Sequence, residues 1–166
     1  MYVTKRILFV DDDLPVRKAF ARTLRMHNFQ VDLADSFASA EQMLQTNDYA
    51  VIATDYRMPR INGLELVARF ELQSPHTTFI LVTGDFDMDR DLSQSGHTAI
   101  DEVISKPWDT HHLVELMQQG IRNHQTRLNL SRQAAPRRSR SLSLQQTCII
   151  PALSQGITSA TLGKAL

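Results

Sequence analysis

The sequence has a single cysteine and no long apolar run, and each of these features excludes some classes of protein. A single cysteine, Cys148, excludes an internal disulfide and fits a reducing compartment. No apolar run approaches the roughly 20 residues that a membrane-spanning helix needs, so we expect no contact with a membrane. The N-terminal stretch MYVTKRILFVDDD reaches three acids after a short apolar segment, which is not the pattern of a signal peptide. These features predict a cytoplasmic protein with one ordinary core.

Acidic residues are absent after Glu115, and this absence divides the chain. The net charge of the 166 residues is zero, but all eighteen Asp and Glu lie at or before Glu115, with eleven Lys and Arg. The remaining residues contain seven Lys and Arg and no acid. We therefore predict a folded domain over residues 1–124 and a basic tail over residues 125–166. Its segment SRQAAPRRSRSLSLQQ has no regular period and is expected to be largely disordered.

Short β-prone runs alternate with segments of helical spacing along the first 124 residues. The expected strands are Arg6–Val10, Gln30–Ala34, Tyr49–Thr54, Thr78–Thr83 and Ile100–Ile104. Helices are expected to begin after Asp13, at Ser36, at Gly63, near Asp87 and at Asp109 or Thr110. Strands that alternate with helices predict an α/β fold, in which helices cover both faces of a parallel sheet.

Polar residues follow four of the expected strands, and the carboxyl ends of parallel strands meet at one edge of a sheet. Clustered carboxylates repel one another, so an oxygen-preferring cation such as Mg²⁺ would neutralise them. A hydroxyl and an ammonium beside that cation would form a pocket for a phosphoryl group, which a carboxylate can carry as an acyl phosphate. The residues concerned are Asp11, Asp12, Asp13, Asp55, Thr83 and Lys106.

Each of these residues also has an ordinary structural explanation. The three successive acids fit a solvated turn that caps a helix, and Asp55 followed by MP and NG fits turn chemistry. Thr83-Gly84 is a common end to a strand, and Lys106 could be a surface lysine. Their joint placement after successive strands favours a site.

The segments ILFVDDD, TDYRMPRINGLEL, FILVTG and ISKPW give the chain a specific resemblance. In order and position they resemble the receiver domain of two-component response regulators, over residues 5–122. The resemblance implies the flavodoxin-like (βα)5 sandwich, with a five-stranded parallel sheet of order 2-1-3-4-5.

The resemblance also implies a role for each residue of the expected site. Asp55 matches the aspartate that accepts the phosphoryl group. Thr83 and Lys106 match the hydroxyl and the ammonium that contact that group, and the Lys106-Pro107 bond is expected to be cis. The groups that match Mg²⁺ ligands are Asp11 through a water molecule, Asp12, Asp55 and the backbone carbonyl of Arg57.

A receiver of this kind is a signalling switch. It is expected to accept phosphoryl from a sensor histidine kinase or a histidine phosphotransfer protein, to lose it slowly by its own activity, and to act on a downstream protein by contact. A homodimer is compatible with this interpretation. The alternatives are a DNA-binding transcriptional regulator that acts through the basic tail, with Arg137, Arg138 and Arg140, and a scaffold that works without phosphorylation. Nucleic acid is the less favoured partner.

Four residues depart from the usual pattern or extend it. Val103 lies where most receivers carry an aromatic residue, so we expect altered signal output with unaltered phosphorylation. Arg57 and Asp85 flank the expected site and could pair across it, which would prolong the life of the phosphate. Trp108 replaces the more usual phenylalanine and is expected to pack at the start of the last helix.

Overall fold

The computed structural model describes residues 5–84 and 99–134. They belong to the first of two units in the chain, Met1–Ala135. The strands are β1 (Arg6–Val10), β2 (Gln30–Ala34), β3 (Val51–Asp55), β4 (Thr78–Thr83) and β5 (Ile100–Ser105). The helices are α1 (Leu14–Met26), α2 (Phe37–Leu44), α3 (Gly63–Phe70) and α4 (Thr110–Ala134). Several positions named in the sequence analysis lie outside the described residues: the expected helix near Asp87, Asp85, Cys148, Arg137, Arg138 and Arg140.

The five strands form one parallel sheet in the order β2-β1-β3-β4-β5. This confirms the predicted flavodoxin-like sheet. β1 and β3 are neighbours near the middle, and β4 separates β3 from β5. All strands therefore end at one edge, called the carboxyl edge below, and begin at the opposite, amino edge.

Side-chain caps set the starts of the helices. Asp13 accepts a hydrogen bond from Val16 N at the start of α1, and Ser36 forms a capping box with Ser39 at the start of α2. Before α4, Asp109 Oδ1 accepts from His112 N at 2.9 Å, so Asp109 rather than Thr110 is the cap. Each cap satisfies backbone N–H groups that have no partner within the helix.

Each face of the sheet has its own core because successive side chains of a strand point to opposite faces. On one face, Phe9 of β1 stacks on Phe20 of α1 with ring centroids 3.9 Å apart. Trp108 meets Phe20 edge to face at 5.7 Å, which confirms its predicted packing role. On the other face, Leu8 and Val10 of β1 belong to a core with Ala40 of α2 and Leu66, Val67 and Phe70 of α3.

Helix α4 is longer than the sequence analysis predicts. It continues through Ala134, past the predicted domain boundary at residue 124, and the expected lack of regular structure is wrong for residues 131–134. Two contacts fasten the added turns to the amino edge. His124, which is 5% exposed, contacts the carbonyl oxygen of His76 through Nδ1 at 2.9 Å, and Arg127 donates to the carbonyl oxygen of Thr77 at 2.8 Å. Within residues 5–84 and 99–134, no helix combines the length and the apolar character that a membrane span requires.

Candidate functional site

Three carboxylates meet at the carboxyl edge. Asp11 and Asp12 directly follow β1, and Asp55 is the last residue of the adjacent strand β3. Ligand oxygens of these three residues, called the acid cluster below, lie within 4.8 Å of one another. Asp11 is 1% exposed and Asp55 is 8% exposed, whereas Asp12 faces solvent. Two buried carboxylates and one exposed carboxylate therefore open onto the same edge.

Lys106 joins the two buried members of the acid cluster. Its Nζ donates to Asp11 Oδ2 and to Asp55 Oδ1, both at 2.7 Å. The Lys106-Pro107 bond is cis, as the resemblance implies. The backbone N–H of Lys106 donates to the carbonyl oxygen of Thr83 at 2.7 Å, which ties the end of β5 to the end of β4. The structure thus brings together Asp11, Asp55 and Lys106, three residues far apart in the sequence.

Burial and charge act against each other in this cluster. Burial raises the pKa of Asp55 above its ordinary value, although the hydrogen bond from Lys106 opposes that rise. Burial alone would lower the pKa of Lys106, but its hydrogen bonds to Asp11 and Asp55 outweigh burial and leave that pKa raised. Lys106 is therefore protonated at neutral pH and supplies one positive charge against three carboxylates.

The other two expected site residues lie at the same edge. Thr83 is the last residue of β4 and is buried; it follows Val82, whose Cα pairs with that of Asp55. Arg57 is exposed and comes two residues after Asp55. The assigned roles of the Thr83 hydroxyl and of the Arg57 carbonyl stay predictions.

The loop between β3 and α3 packs tightly against the backbone of Asp55. Gly63 N donates to the carbonyl oxygen of Tyr56 at 2.9 Å. A Cβ at Gly63 would lie 2.4 Å from the carbonyl oxygen of Asp55, so only glycine fits there without movement of the backbone. Asn62 caps α3 by accepting from Glu65 N at 2.9 Å. Arg60 has a φ of 74°, in the left-handed region that arginine rarely adopts, which marks this loop as locally strained.

Sequence reasoning missed one residue that contacts the acid cluster. Arg17, in the first turn and a half of α1, donates through Nη1 to the backbone carbonyl oxygen of Asp11. The available signal was weak: a single arginine six residues after the first acid. The contact depends on how α1 packs against the end of β1, which the sequence pattern does not show.

The acid cluster suits a hard divalent cation. Carboxylate oxygens are the ligands that Mg²⁺ prefers, and Mg²⁺ keeps several of its waters, so two or three protein oxygens suffice. The charge also fits, because Lys106 balances one of three carboxylates and leaves two negative charges. The donor set therefore fits Mg²⁺.

Comparisons with known proteins agree with this geometry. The family model described as the response regulator receiver domain matches residues 7–118. The chain is 34% identical over 118 residues to the C4-dicarboxylate transport transcriptional regulatory protein DctD of Rhizobium meliloti, with 69% of this chain and 25% of DctD covered. It is 30% identical over 118 residues to the response regulator receiver protein CpdR of Brucella abortus, with 66% of this chain and 91% of CpdR covered.

Solved structures give the same result for the fold. The signal receiver domain of an HD domain-containing protein from Pseudomonas fluorescens superposes with a TM-score of 0.71 at 26% identity, over 78% of this chain and 96% of that one. The chain belongs to the response regulator receiver family. Phosphorylation on aspartate and binding of Mg²⁺ are general features of receiver domains. The chain spans about a quarter of the length of DctD and about nine tenths of CpdR.

Proposed function

We propose that this receiver accepts a phosphoryl group on Asp55, in a reaction that requires Mg²⁺, and then signals by contact with another protein. The observation that supports this most directly is the bond of Lys106 to both Asp55 and Asp11 beside a third carboxylate. A surface salt bridge would not need two buried acids, and such an excess of negative charge is costly unless it is used.

The proposed reaction is a direct phosphoryl transfer. A carboxylate oxygen of Asp55 attacks the phosphorus of the donor and forms an O–P bond, while the bond from phosphorus to the donor breaks and its electron pair leaves with the donor. Lys106 neutralises charge on the transferred group, and the Thr83 hydroxyl donates to one of its oxygens. Asp11, Asp12, Asp55 and the carbonyl of Arg57 would hold Mg²⁺. The cation would supply positive charge for the phosphoryl oxygens.

The proposed donors are a sensor histidine kinase or a histidine phosphotransfer protein, and the cytoplasmic location expected from the sequence belongs to the same proposal. The division into a receiver and a separate basic tail is also part of it, with α4 continuing through Ala134. Regulation of DNA is not favoured. The relative named as a transcriptional regulator, DctD, is matched over only a quarter of its length.

A small phosphodonor tests the proposal without knowledge of the kinase. Purified protein is incubated with acetyl phosphate and Mg²⁺ and weighed by intact-mass spectrometry. We expect the wild type to gain the mass of one phosphoryl group, and to gain none in excess EDTA or as Asp55→Asn.

Asp35→Asn is the matched control. Asp35 directly follows β2 at the same edge but bonds to Ser36 and Ser39 rather than to the acid cluster, so this variant should be phosphorylated normally. Phosphorylation of Asp55→Asn at the wild-type rate would refute the assignment of Asp55.

A further inference from the structure

We infer that Arg17 is a positioning residue for the metal ligands: it holds the peptide bond between Asp11 and Asp12 and so presents Asp12 to Mg²⁺. This inference rests on the proposed function, since it concerns the same metal. Arg17 is half-buried on α1 and donates through Nη1 to the carbonyl oxygen of Asp11, not to a carboxylate.

Asp11 is fixed at every polar group that the structure describes. Its backbone N–H donates to the carbonyl oxygen of Ala34 at 3.2 Å, which extends the pairing of β1 with β2. Its Oδ2 accepts from Lys106 at 2.7 Å, and its Oδ1 accepts from the backbone N–H of Asp13 at 2.8 Å. The carbonyl oxygen that Arg17 binds completes this set.

Asp12 lies between two of these fixed points. The peptide group before it is held by Arg17 at the Asp11 carbonyl, and the peptide group after it is held by Asp11 Oδ1 at the N–H of Asp13. The side chain of Asp12 itself is exposed, so packing does not fix its direction. The two flanking peptide groups therefore set the direction of the Cα–Cβ bond that carries the Asp12 carboxylate.

The charge of Arg17 is also compatible with a role in the metal site. A guanidinium at the Asp11 carbonyl places a positive charge beside the acid cluster and occupies none of its carboxylate oxygens. Arg17 therefore leaves the ligand atoms of the acid cluster available to a cation.

The direct test measures binding of Mg²⁺ by titration calorimetry, with no phosphodonor present. We expect Arg17→Ala to weaken Mg²⁺ binding about tenfold, the lower end of what the loss of a group that orients a metal ligand typically costs. Arg17→Lys keeps the charge but loses the planar fork, and should bind with intermediate affinity.

Lys18→Ala is the matched control. Lys18 is the next residue on α1, is exposed, and carries the same charge. Its removal should weaken Mg²⁺ binding by no more than about twofold, because exposed charges are screened at moderate salt. Equal weakening in Arg17→Ala and Lys18→Ala would overturn the positioning role and leave only a long-range charge effect.

Kinetics separate positioning from chemistry. At saturating Mg²⁺, Arg17→Ala should be phosphorylated by acetyl phosphate at nearly the wild-type rate, with the whole defect in the Mg²⁺ concentration for half-maximal rate. A defect that persists at saturating Mg²⁺ would contradict the inference.

Failure of the proposed function gives a different pattern. Asp12→Asn should bind Mg²⁺ weakly, and if it binds as tightly as the wild type, the metal site itself is wrongly assigned. Circular dichroism melts show whether Arg17→Ala folds; Arg17→Lys gives the same comparison if it does not.

Discussion

The carboxyl edge and the amino edge of the sheet both carry acidic and basic side chains, but these side chains have different roles. At the carboxyl edge, Lys106 bonds to two of three clustered carboxylates, so negative charge is in excess. At the amino edge, Asp101 of β5 pairs with Arg127 of α4 and also accepts from Phe79 N at 2.9 Å. One carboxylate and one guanidinium balance there, and the backbone supplies the remaining partner.

This difference in charge balance suits the carboxyl edge to a reaction and the amino edge to holding α4 on the sheet. Excess charge at the carboxyl edge costs stability but leaves ligand atoms for a cation and a nucleophile for phosphoryl. Balanced charge at the amino edge holds the last turns of α4 to the sheet. The residues of the first edge should therefore govern phosphorylation, and those of the second should govern the stability of the helix.

The largest expected effect comes from adding a single methyl group at Gly63, near the carboxyl edge. A Cβ at Gly63 would lie 2.4 Å from the carbonyl oxygen of Asp55 and 2.9 Å from Leu81 Cδ1, so the backbone that carries Asp55 must move. We expect Gly63→Ala to lower the free energy of unfolding by about 3 kcal/mol, the upper end of the cost of overpacking. Urea unfolding measures this, and phosphorylation by acetyl phosphate should fall with it.

Gly120→Ala is the counterpart near the amino edge. Its Cβ would meet side-chain atoms, Val51 Cγ2 at 2.8 Å and Thr78 Cγ2 at 3.3 Å, which can yield more easily than backbone. Alanine also gains about 1 kcal/mol over glycine within a helix. The net change should be under about 1 kcal/mol, with phosphorylation intact. Equal losses at the two glycines would contradict this distinction.

The next test makes the same substitution at both edges and expects opposite signs. In EDTA, Asp55→Asn removes one of three crowded charges and should raise the free energy of unfolding by about 1 kcal/mol. With Mg²⁺ present, the same variant should not be phosphorylated. Asp101→Asn leaves Arg127 without its ionic partner. This variant should have a free energy of unfolding lower by about 1–2 kcal/mol and should still be phosphorylated in the presence of Mg²⁺. Denaturant unfolding and acetyl phosphate assays on both variants measure this. A change of the same sign in both would show that the acid cluster carries no excess charge.

The carboxyl edge was predictable because its signals are local. Each site residue lies at or just after the end of a strand that is evident as a β-prone run in the sequence. A parallel sheet then brings these strand ends together whatever their separation along the chain. The observed strands differ from the predicted ones by at most two residues at either end. The caps at Asp13 and Ser36 were equally evident from residue type.

The amino edge was not predictable for a physical reason. The second half of α4 is held by polar contacts from His124 and Arg127 to backbone carbonyls and to Asp101, so it lacks the apolar stripe that marks the first half. From the sequence alone, a histidine and an arginine in a basic segment are predicted to be exposed to solvent. The burial of His124 and the partial burial of Arg127 follow only from the position of the sheet, as does the contact of Arg17 with Asp11.

His124 gives the amino edge a dependence on pH. Burial lowers the pKa of His124 below its ordinary value of about 6.5, opposed by the His76 carbonyl and Asp48, while Arg127 adds to the lowering. The folded state thus prefers neutral His124, so its stability is fully present above about pH 6.5 and is lost as pH falls toward the lowered pKa.

Hydrogen exchange of residues 124–134 measures this loss. Exchange should quicken as pH is lowered from 7 to 5, after correction for the intrinsic rate, and His124→Gln should remove most of that acceleration. His112→Gln, at an exposed position in the first turn of the same helix, is the control and should exchange like the wild type. Identical pH profiles for the wild type and His124→Gln would exclude His124 as the titrating group.

The smallest expected effect concerns the strand that joins the two edges. β5 carries Asp101 near the amino edge, and Lys106 directly follows its last residue. Val103 lies between them, 37% exposed and paired in register with Leu81. Valine has one stiff side-chain torsion and no ring to reorient. Because Val103 touches none of the acid cluster's bonds, Val103→Tyr should leave the phosphorylation rate near that of the wild type. The substitution should change the difference in affinity for the downstream partner between the phosphorylated and unphosphorylated forms. Equal affinities in both proteins, with and without phosphate, would show that this strand does not transmit the state of the carboxyl edge.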